Sequence, residues 1–125
     1  MTTTRTPVPR DCRVARTTRA NLLLIGAETR VQEIVQRLWA NDGLATWEPG
    51  QPLTLPTNAA TVLLHGVDQL SEEDQVRLSD WLETGAEQPQ VVSTASTPLV
   101  RRVEAGDFID TLYYRLNTIC VDVTN

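Results

Sequence analysis

Short apolar runs of strand length alternate with helical patterns along most of this chain. The run NLLLIG at 21–26 is unbroken, which suits a strand buried on both faces of a parallel sheet. After it, apolar residues recur at helical spacing, so one stripe of a helix at 30–39 can lie on that sheet. The same alternation predicts further strands at 44–47, 60–65, 91–94 and 118–123. Five strands alternating with helices predict an α/β fold, a three-layer sandwich with a five-stranded parallel sheet.

The apolar positions of these patterns define an expected hydrophobic core between the sheet and its helices. The predicted core residues are Leu23, Ile25, Val35, Leu38, Leu63, Leu78, Leu82, Val92, Leu112 and Ile119. A chain of 125 residues suits one domain with a single core. No apolar run approaches the ~20 residues that span a bilayer, and the start lacks the apolar stretch of a secretory signal. We therefore expect no membrane association, a cytoplasmic location and no disulfide between Cys12 and Cys120.

Charge is distributed unevenly, although the net charge is only −5. Residues 1–19 hold five arginines against one aspartate, and the rest of the chain holds six arginines against fifteen acids. We predict a basic, disordered amino-terminal arm at 1–19 and a folded domain at 20–125. The arm could contact nucleic acid or an acidic partner, but a solvated leader is the simpler interpretation.

The run DFIDTLYYRLN at 107–117 is the most specific motif in the chain. It resembles the F-R-x-D-L-Y-Y-R-L-N run of the AAA+ domain in bacterial sigma-54-dependent transcriptional activators. In that family the run supplies arginines that reach the nucleotide of the neighbouring subunit, where they stabilise charge on the phosphoryl group. Ile109 stands at the first of these arginine positions, and Arg115 keeps the second.

The resemblance extends upstream over roughly residues 20–122, but the polar positions of the family's active site differ. The stretch at 61–85 is similar to the family's Walker B strand and following helix, with His65 and Gly66 in place of the acidic pair that serves Mg²⁺ and water. Ser96 replaces the sensor asparagine that positions the attacking water. The resemblance also implies a strand order of 5-1-4-3-2.

The run at 21–35 lies where the family has its phosphate-binding loop, G-x-x-x-x-G-K-[ST]. That loop needs glycines for its backbone to wrap the phosphates and a lysine to reach them. Gly26 starts the motif, Val31 replaces the second glycine, Gln32 replaces the lysine and Glu33 agrees with the residue the family often places next. The chain contains no lysine at all.

Compared with the family that it resembles, the chain lacks two further features. Only about twenty residues, 40–59, stand where the family has a long insertion with its sigma-54-contacting loop. We also expect no helical lid domain after the last strand.

Two function classes remain open. The first is a non-catalytic AAA+-like module that binds a protein partner or self-associates, with no cofactor and no metal. Its expected contact residues are Arg115, Asp107, Asp110 and Trp47. The Pro-rich connection at 48–57 either exposes Trp47 to a partner or lets it cover the edge of the sheet. The second is a sigma-54-type transcriptional regulator that still binds ATP. The lone histidine could serve as a pH switch or metal ligand, but a half-buried residue with one hydrogen bond is the simpler interpretation.

Overall fold

The computed structural model describes residues 7–40, 44–55, 60–83 and 89–124. Strands and helices alternate along it, as the sequence predicts. The strands are β1 (Leu22–Ile25), β2 (Leu44–Trp47), β3 (Thr61–Leu64), β4 (Gln90–Ala95) and β5 (Ile119–Asp122). The helices are α1 (Arg10–Thr18), α2 (Glu28–Trp39), α3 (Glu72–Glu83), α4 (Leu99–Glu104) and α5 (Asp110–Leu116), with a 3₁₀ turn at Val67–Gln69.

The five strands form one sheet in the order β2-β3-β4-β1-β5. Every neighbouring pair is parallel. The predicted fold class and the order 5-1-4-3-2 are both confirmed, since that order is the same sheet named from its other edge. Because all strands run the same way, their carboxyl ends meet at one edge of the sheet, where open α/β sheets bind ligands.

Successive residues of β1 point to opposite faces of the sheet, so the core has two halves. Leu23 and Ile25 pack in the half covered by α3, α4 and α5. Leu22 and Leu24 pack in the other half, which α1 and α2 cover. The molecule is therefore a three-layer sandwich, with the sheet between two layers of helices.

Most of the predicted core is buried. The buried members are Leu23, Ile25, Val35, Leu63, Leu78, Leu82, Val92 and Leu112. Leu38 and Ile119 are only partly buried and pack against the rim of the α1–α2 half. Leu38 lies in the last turn of α2 and Ile119 opens the edge strand β5, so neither position is enclosed on all sides.

The amino-terminal arm is the main departure from the sequence prediction. Residues 10–18 form helix α1, so the prediction of a disordered arm is wrong for this segment. Its inner face buries Cys12 and Ala15, and Val8 before it is buried as well. Two arginines fasten it to α2: Arg30 Nη2 donates to the Pro7 carbonyl (2.9 Å) and Arg16 Nε donates to the Leu38 carbonyl (2.8 Å).

The folded unit therefore includes residues that the sequence analysis assigned to the arm. Residues 1–6 of that arm lie outside the described part of the chain. None of the helices in the described ranges is long and apolar enough to span a bilayer.

Candidate functional site

A cleft of about 220 Å³ opens at the carboxyl edge of the sheet. It lies where β1 and β4 are neighbouring strands. After β1 the chain forms α2 on one face of the sheet, and after β4 it forms α4 on the opposite face. Crevices at such a switch point are the usual ligand sites of parallel α/β sheets. Residues that follow β1, β2, β3 and β4 line the cleft, among them Gly26, Glu48, His65 and Ser96.

The segment that corresponds to a phosphate-binding loop is helical. Ala27 is the N-cap of α2, and the helix begins at Glu28, only two residues after Gly26. Val31 is buried in the core half that α1 and α2 cover, and its N–H is bonded to the Ala27 carbonyl (3.0 Å). The helix thus begins inside the segment, which does not form the open loop that would wrap a phosphate chain.

The side chains at the other phosphate-loop positions are engaged along the helix surface. Gln32 Nε2 donates to Glu28 Oε1 (3.1 Å), one turn earlier. Glu33 pairs with Arg30 at 3.4 Å, and its side chain is exposed. Glu28 lies in the first turn, where a negative charge interacts favourably with the helix dipole.

Close packing explains the glycine at position 26 without reference to a nucleotide. A Cβ at this position would lie 2.6 Å from Val123 Cγ2, well inside a normal carbon–carbon contact. The Gly26 N–H donates to the Ala95 carbonyl (3.0 Å), which continues the β1–β4 ladder by one bond. The residue therefore lets the end of β5 lie close against the end of β1.

His65 and Gly66, at the Walker B positions, form the turn that leaves β3. The His65 N–H donates to the Trp47 carbonyl (2.9 Å), and the Gly66 N–H donates to Thr94 Oγ1 (3.1 Å). Gly66 has φ +65°, and a Cβ there would lie 3.0 Å from Pro49 Cγ. A glycine suits this left-handed, crowded position, where a glutamate would be strained.

A carboxylate that the sequence analysis missed lies in the same cleft. Asp68 is only 7% exposed, although it carries a charge that normally stays in water. Its Oδ2 accepts a long hydrogen bond from Ser96 Oγ (3.4 Å), and Oδ1 has no partner among the described residues. In the sequence Asp68 is an ordinary acid in a turn, and only the fold brings it beside the sensor position Ser96.

The cleft is acidic. Glu28, Glu48 and Asp68 line it, and the described residues that surround it include no arginine. At an effective dielectric constant of about 20, two like charges about 4 Å apart repel by on the order of 4 kcal/mol. A triphosphate in this cleft would meet such repulsion, and no arginine among the described lining residues would offset it. The described residues also contain no group of three His, Cys, Asp or Glu that could hold a metal ion.

The expected contact residues near α5 lie at the surface. Asp107, Asp110 and Arg115 are exposed, and Arg115 Nη2 pairs with Glu83 Oε1 at 3.6 Å. Ile109, at the missing arginine position, is half-buried, and its N–H donates to Gln75 Oε1 (2.9 Å). The side chain at this position thus packs with the α3–α5 half of the core and carries no charge toward solvent.

Trp47 does not lie at the surface, so the prediction that it is exposed is wrong. Its side chain is 4% exposed, and Leu53 from the following connection is buried beside it in the same cluster. The indole Nε1 donates to the Gln51 carbonyl (2.9 Å). The proline-containing connection folds back over the end of β2, which buries the indole ring and satisfies its N–H.

Comparison with solved structures supports the fold. NtrX from Brucella abortus in complex with ATP superimposes with a TM-score of 0.72 at 16% identity, covering 92% of this chain and 35% of that one. The P-loop NTPase domain of a sigma-54 transport activator from E. coli gives 0.61 at 19% identity, covering 93% and 91%. RuvB from Thermotoga maritima gives 0.55 at 15% identity, covering 90% and 42%. The chain thus spans about a third of the NtrX chain.

No curated protein sequence matches this chain. The family model of the sigma-54 interaction domain, in contrast, matches residues 10–125. The match begins at the first residue of α1, in agreement with the packing of that helix on the sheet. Together with the parallel sheet and its strand order, this match shows that the chain belongs to the sigma-54 interaction domain family, whose fold is that of AAA+ domains.

Proposed function

We propose that this domain is a non-catalytic member of its family, a cytoplasmic module of bacterial transcriptional control that acts by binding a protein partner or a second copy of itself. One observation carries the proposal: among the described residues, those that line the cleft at the nucleotide position include three carboxylates and no arginine, and helix α2 occupies the phosphate-loop segment. Loss of the phosphate lysine and of the metal carboxylate removes the groups that stabilise bound phosphate and its transition state.

The contact surface that we propose is formed by the exposed side chains of the segment from Asp107 to Arg115. Asp107 and Asp110 are acidic and Arg115 is basic, so the surface offers both signs of charge to a partner. Tyr114 adds a large aromatic side chain that is 69% exposed. Aromatic residues beside charged ones are enriched at protein interfaces.

A second candidate is a regulator that still binds ATP. The position of the cleft at the switch point of the sheet favours it, because this is where such folds bind nucleotides. NtrX, which has the same fold, was solved in complex with ATP. The acidic lining of the present cleft is the reason that we rank this candidate second.

Isothermal titration of the full 125-residue chain with ATP and Mg²⁺ separates the two candidates. We expect this titration to show no measurable binding. In a separate phosphate-release assay, we expect no release above a protein-free blank. A micromolar dissociation constant, or a phosphate release that saturates with ATP, contradicts the proposal and favours the second candidate.

A further inference from the structure

The outer face of helix α1 is basic. Cys12 and Ala15 point to the core, so Arg10, Arg13 and Val14 lie on the side of the helix that faces solvent. Among the described residues, neither of these two arginines has an ion-pair partner. Val14 beside them is 39% exposed. The face therefore presents two positive charges and an apolar side chain to whatever approaches it.

The outer face of helix α3 has the opposite charge. Leu78 and Leu82 point to the core, whereas Glu73, Val76 and Asp80 are exposed on the other side of the helix. Within the described part of the chain, no arginine pairs with either of these two acids. Val76 between them is 46% exposed. This face thus has the same composition as the outer face of α1, with the sign of the charge reversed.

The residues of contrary charge on the two helices do not cancel this difference. Arg77 of α3 is turned to its own surroundings, since Nη2 donates to the Leu53 carbonyl (3.1 Å) and Nη1 lies 3.5 Å from Asp74 Oδ1. Asp11 of α1 lies about 100° around the helix from Arg10, away from the centre of the basic face. Each face therefore keeps one sign of charge around its exposed valine.

The two faces lie on opposite sides of the molecule. Helix α1 packs on one half of the core and α3 packs on the other half, with the sheet between them. One copy of the chain cannot bring these faces together. Two copies stacked in the same orientation bring α1 of one copy against α3 of the next. Such a contact is heterologous, because it joins different surfaces of the two copies.

The spacing of the charged residues also agrees on the two helices. Val14 comes four residues after Arg10, and Val76 comes four residues before Asp80. When the two valines are in contact and the helices are antiparallel, Arg10 lies opposite Asp80, about 6 Å along the axis from the valines. When the helices are parallel, Arg10 lies opposite Glu72 instead. Unlike charges therefore face each other in both directions, around an apolar centre.

We propose that the chain self-associates head to tail, with the outer face of α1 in one copy bound to the outer face of α3 in a second copy. The occupant is a second copy because the chain carries the complement of its own basic face, while its net charge of −5 opposes a polyanion such as nucleic acid. The inference rests on the proposed function and names the partner, through surfaces other than the segment from Asp107 to Arg115. A contact between two short helices is small, so the association is weak and needs a high protein concentration.

Reversal of the charge on each face tests the proposal by sedimentation equilibrium of the full chain. Arg10→Glu with Arg13→Glu makes the α1 face acidic, and Glu73→Arg with Asp80→Arg makes the α3 face basic. We expect each double variant to associate with itself at least tenfold more weakly than the unmodified chain, with its circular dichroism unchanged. The association of the unmodified chain should also weaken as NaCl rises from about 0.05 M to about 0.5 M, because salt screens charge pairs.

A mixture of the two double variants tests whether the two faces bind each other. In each variant both faces have the same sign, so neither variant should associate with itself. In an equimolar mixture every contact joins faces of unlike charge, so association should return to about the strength of the unmodified chain. A mixture that stays monomeric overturns the inference.

Two single variants on helix α4 are the matched controls. Arg101→Glu and Glu104→Arg make the same charge changes at exposed residues that belong to neither face. We expect each of them to change the association constant less than twofold. If they weaken association as much as the double variants do, net charge is responsible and the assignment to the two faces is wrong.

Three further results overturn the inference. The first is an unmodified chain that stays monomeric at about 1 mM. The second is self-association that Arg115→Glu abolishes and the reversed α1 face leaves intact. The third is saturable binding of a DNA duplex at physiological salt that is lost when the α1 face is reversed, because it assigns this face to nucleic acid.

These experiments are independent of the ATP titration. A monomeric chain that does not bind ATP refutes this inference and leaves the proposed function standing, with a different protein as the partner. Binding of ATP with micromolar affinity refutes the proposed function, whatever the sedimentation experiment shows.

Discussion

Replacement of Gly26 by alanine measures how closely the ends of β1 and β5 approach each other. The new Cβ would lie 2.6 Å from Val123 Cγ2 and 3.4 Å from the Val123 carbonyl carbon, against the 3.5–4.0 Å of an ordinary contact. Val123 cannot move away freely, because its N–H donates to the Ile25 carbonyl (2.7 Å). We expect Gly26→Ala to lower the free energy of unfolding by about 1 to 3 kcal/mol, the usual cost of overpacking.

Urea denaturation followed by circular dichroism gives the free energies for a double-mutant cycle. Val123→Ala alone removes the clashing methyl group and costs about 1 kcal/mol, since Val123 is only half-buried. In the double variant the clash is absent, so the two effects should fall short of additivity by more than about 0.5 kcal/mol, the limit for independent sites. Additive effects, or a neutral Gly26→Ala, refute the packing argument for this glycine.

Gly106→Ala is the matched control for this cycle. Gly106 has φ +82°, and a Cβ there would have no atom within 4 Å, so the substitution adds backbone strain without a clash. We expect it to cost about 1–2 kcal/mol, the penalty for an L-residue in the left-handed region. Because the strain is local, Val123→Ala should not reduce it, in contrast to its effect on Gly26→Ala.

Three further predictions concern the core, the surface and the buried thiol. Leu82→Ala should cost about 2–5 kcal/mol in urea denaturation, whereas Val76→Ala, at a residue 46% exposed, should change stability by less than about 0.5 kcal/mol. If the chain self-associates through the proposed surface, Arg115→Glu should lower the mass in light scattering with the melting temperature nearly unchanged, whereas the control Arg101→Glu should leave the mass unchanged. Burial, followed by the nearby Asp11 charge, raises the pKa of the Cys12 thiol from 9.0 to about 11. Between these pH values the unfolded chain loses the thiol proton and the folded chain keeps it, so the free energy of unfolding should fall as pH rises from about 9 to 11. Cys12→Ala should reduce that loss of stability.

The sheet was predictable because burial on both faces leaves a plain signal in the sequence. A strand such as β1 can be read from an unbroken apolar run, and its bounds in the structure differ from the predicted 21–26 by one residue at each end. The strand order, in contrast, came from the family resemblance, because periodicity does not state which strands are neighbours. The apolar spacing of α2 and α3 likewise identified the stripes that pack on the sheet.

Helix α1 escaped prediction because its buried face is small. The buried residues of the segment are only Val8, Cys12 and Ala15. The arginines around them dominate its composition, so no apolar stripe is visible in the sequence. Trp47 was misplaced for a related reason. Prolines beside an aromatic residue suggest an exposed loop, but the pattern does not reveal that the Gln51 carbonyl lies close enough to accept the indole N–H.

The candidate site shows the same limit of sequence reasoning. The positions of Gly26, His65 and Ser96 around the cleft follow from the ends of three predicted strands, because parallel strands end at one edge. Asp68 lies three residues beyond His65 in a 3₁₀ turn, and its hydrogen-bond partner Ser96 is 28 residues away in the chain. The sequence could therefore locate the cleft, but the acidic character of its floor required the fold.

Gln32→Lys tests whether restoring the missing lysine alone can recover nucleotide binding. Gln32 lies in the second turn of α2 and already donates to Glu28, so a lysine there would pair with the same carboxylate one turn earlier. Such a pair contributes about 0.2–0.5 kcal/mol to the helix, and it would direct the new charge along the helix surface. Helix α2 would still occupy the loop segment, and Glu48 and Asp68 would still repel phosphate. We therefore expect titration with ATP and Mg²⁺ to show no more binding by this variant than by the unmodified chain, and a gain to micromolar affinity would mean that the lysine alone had been missing.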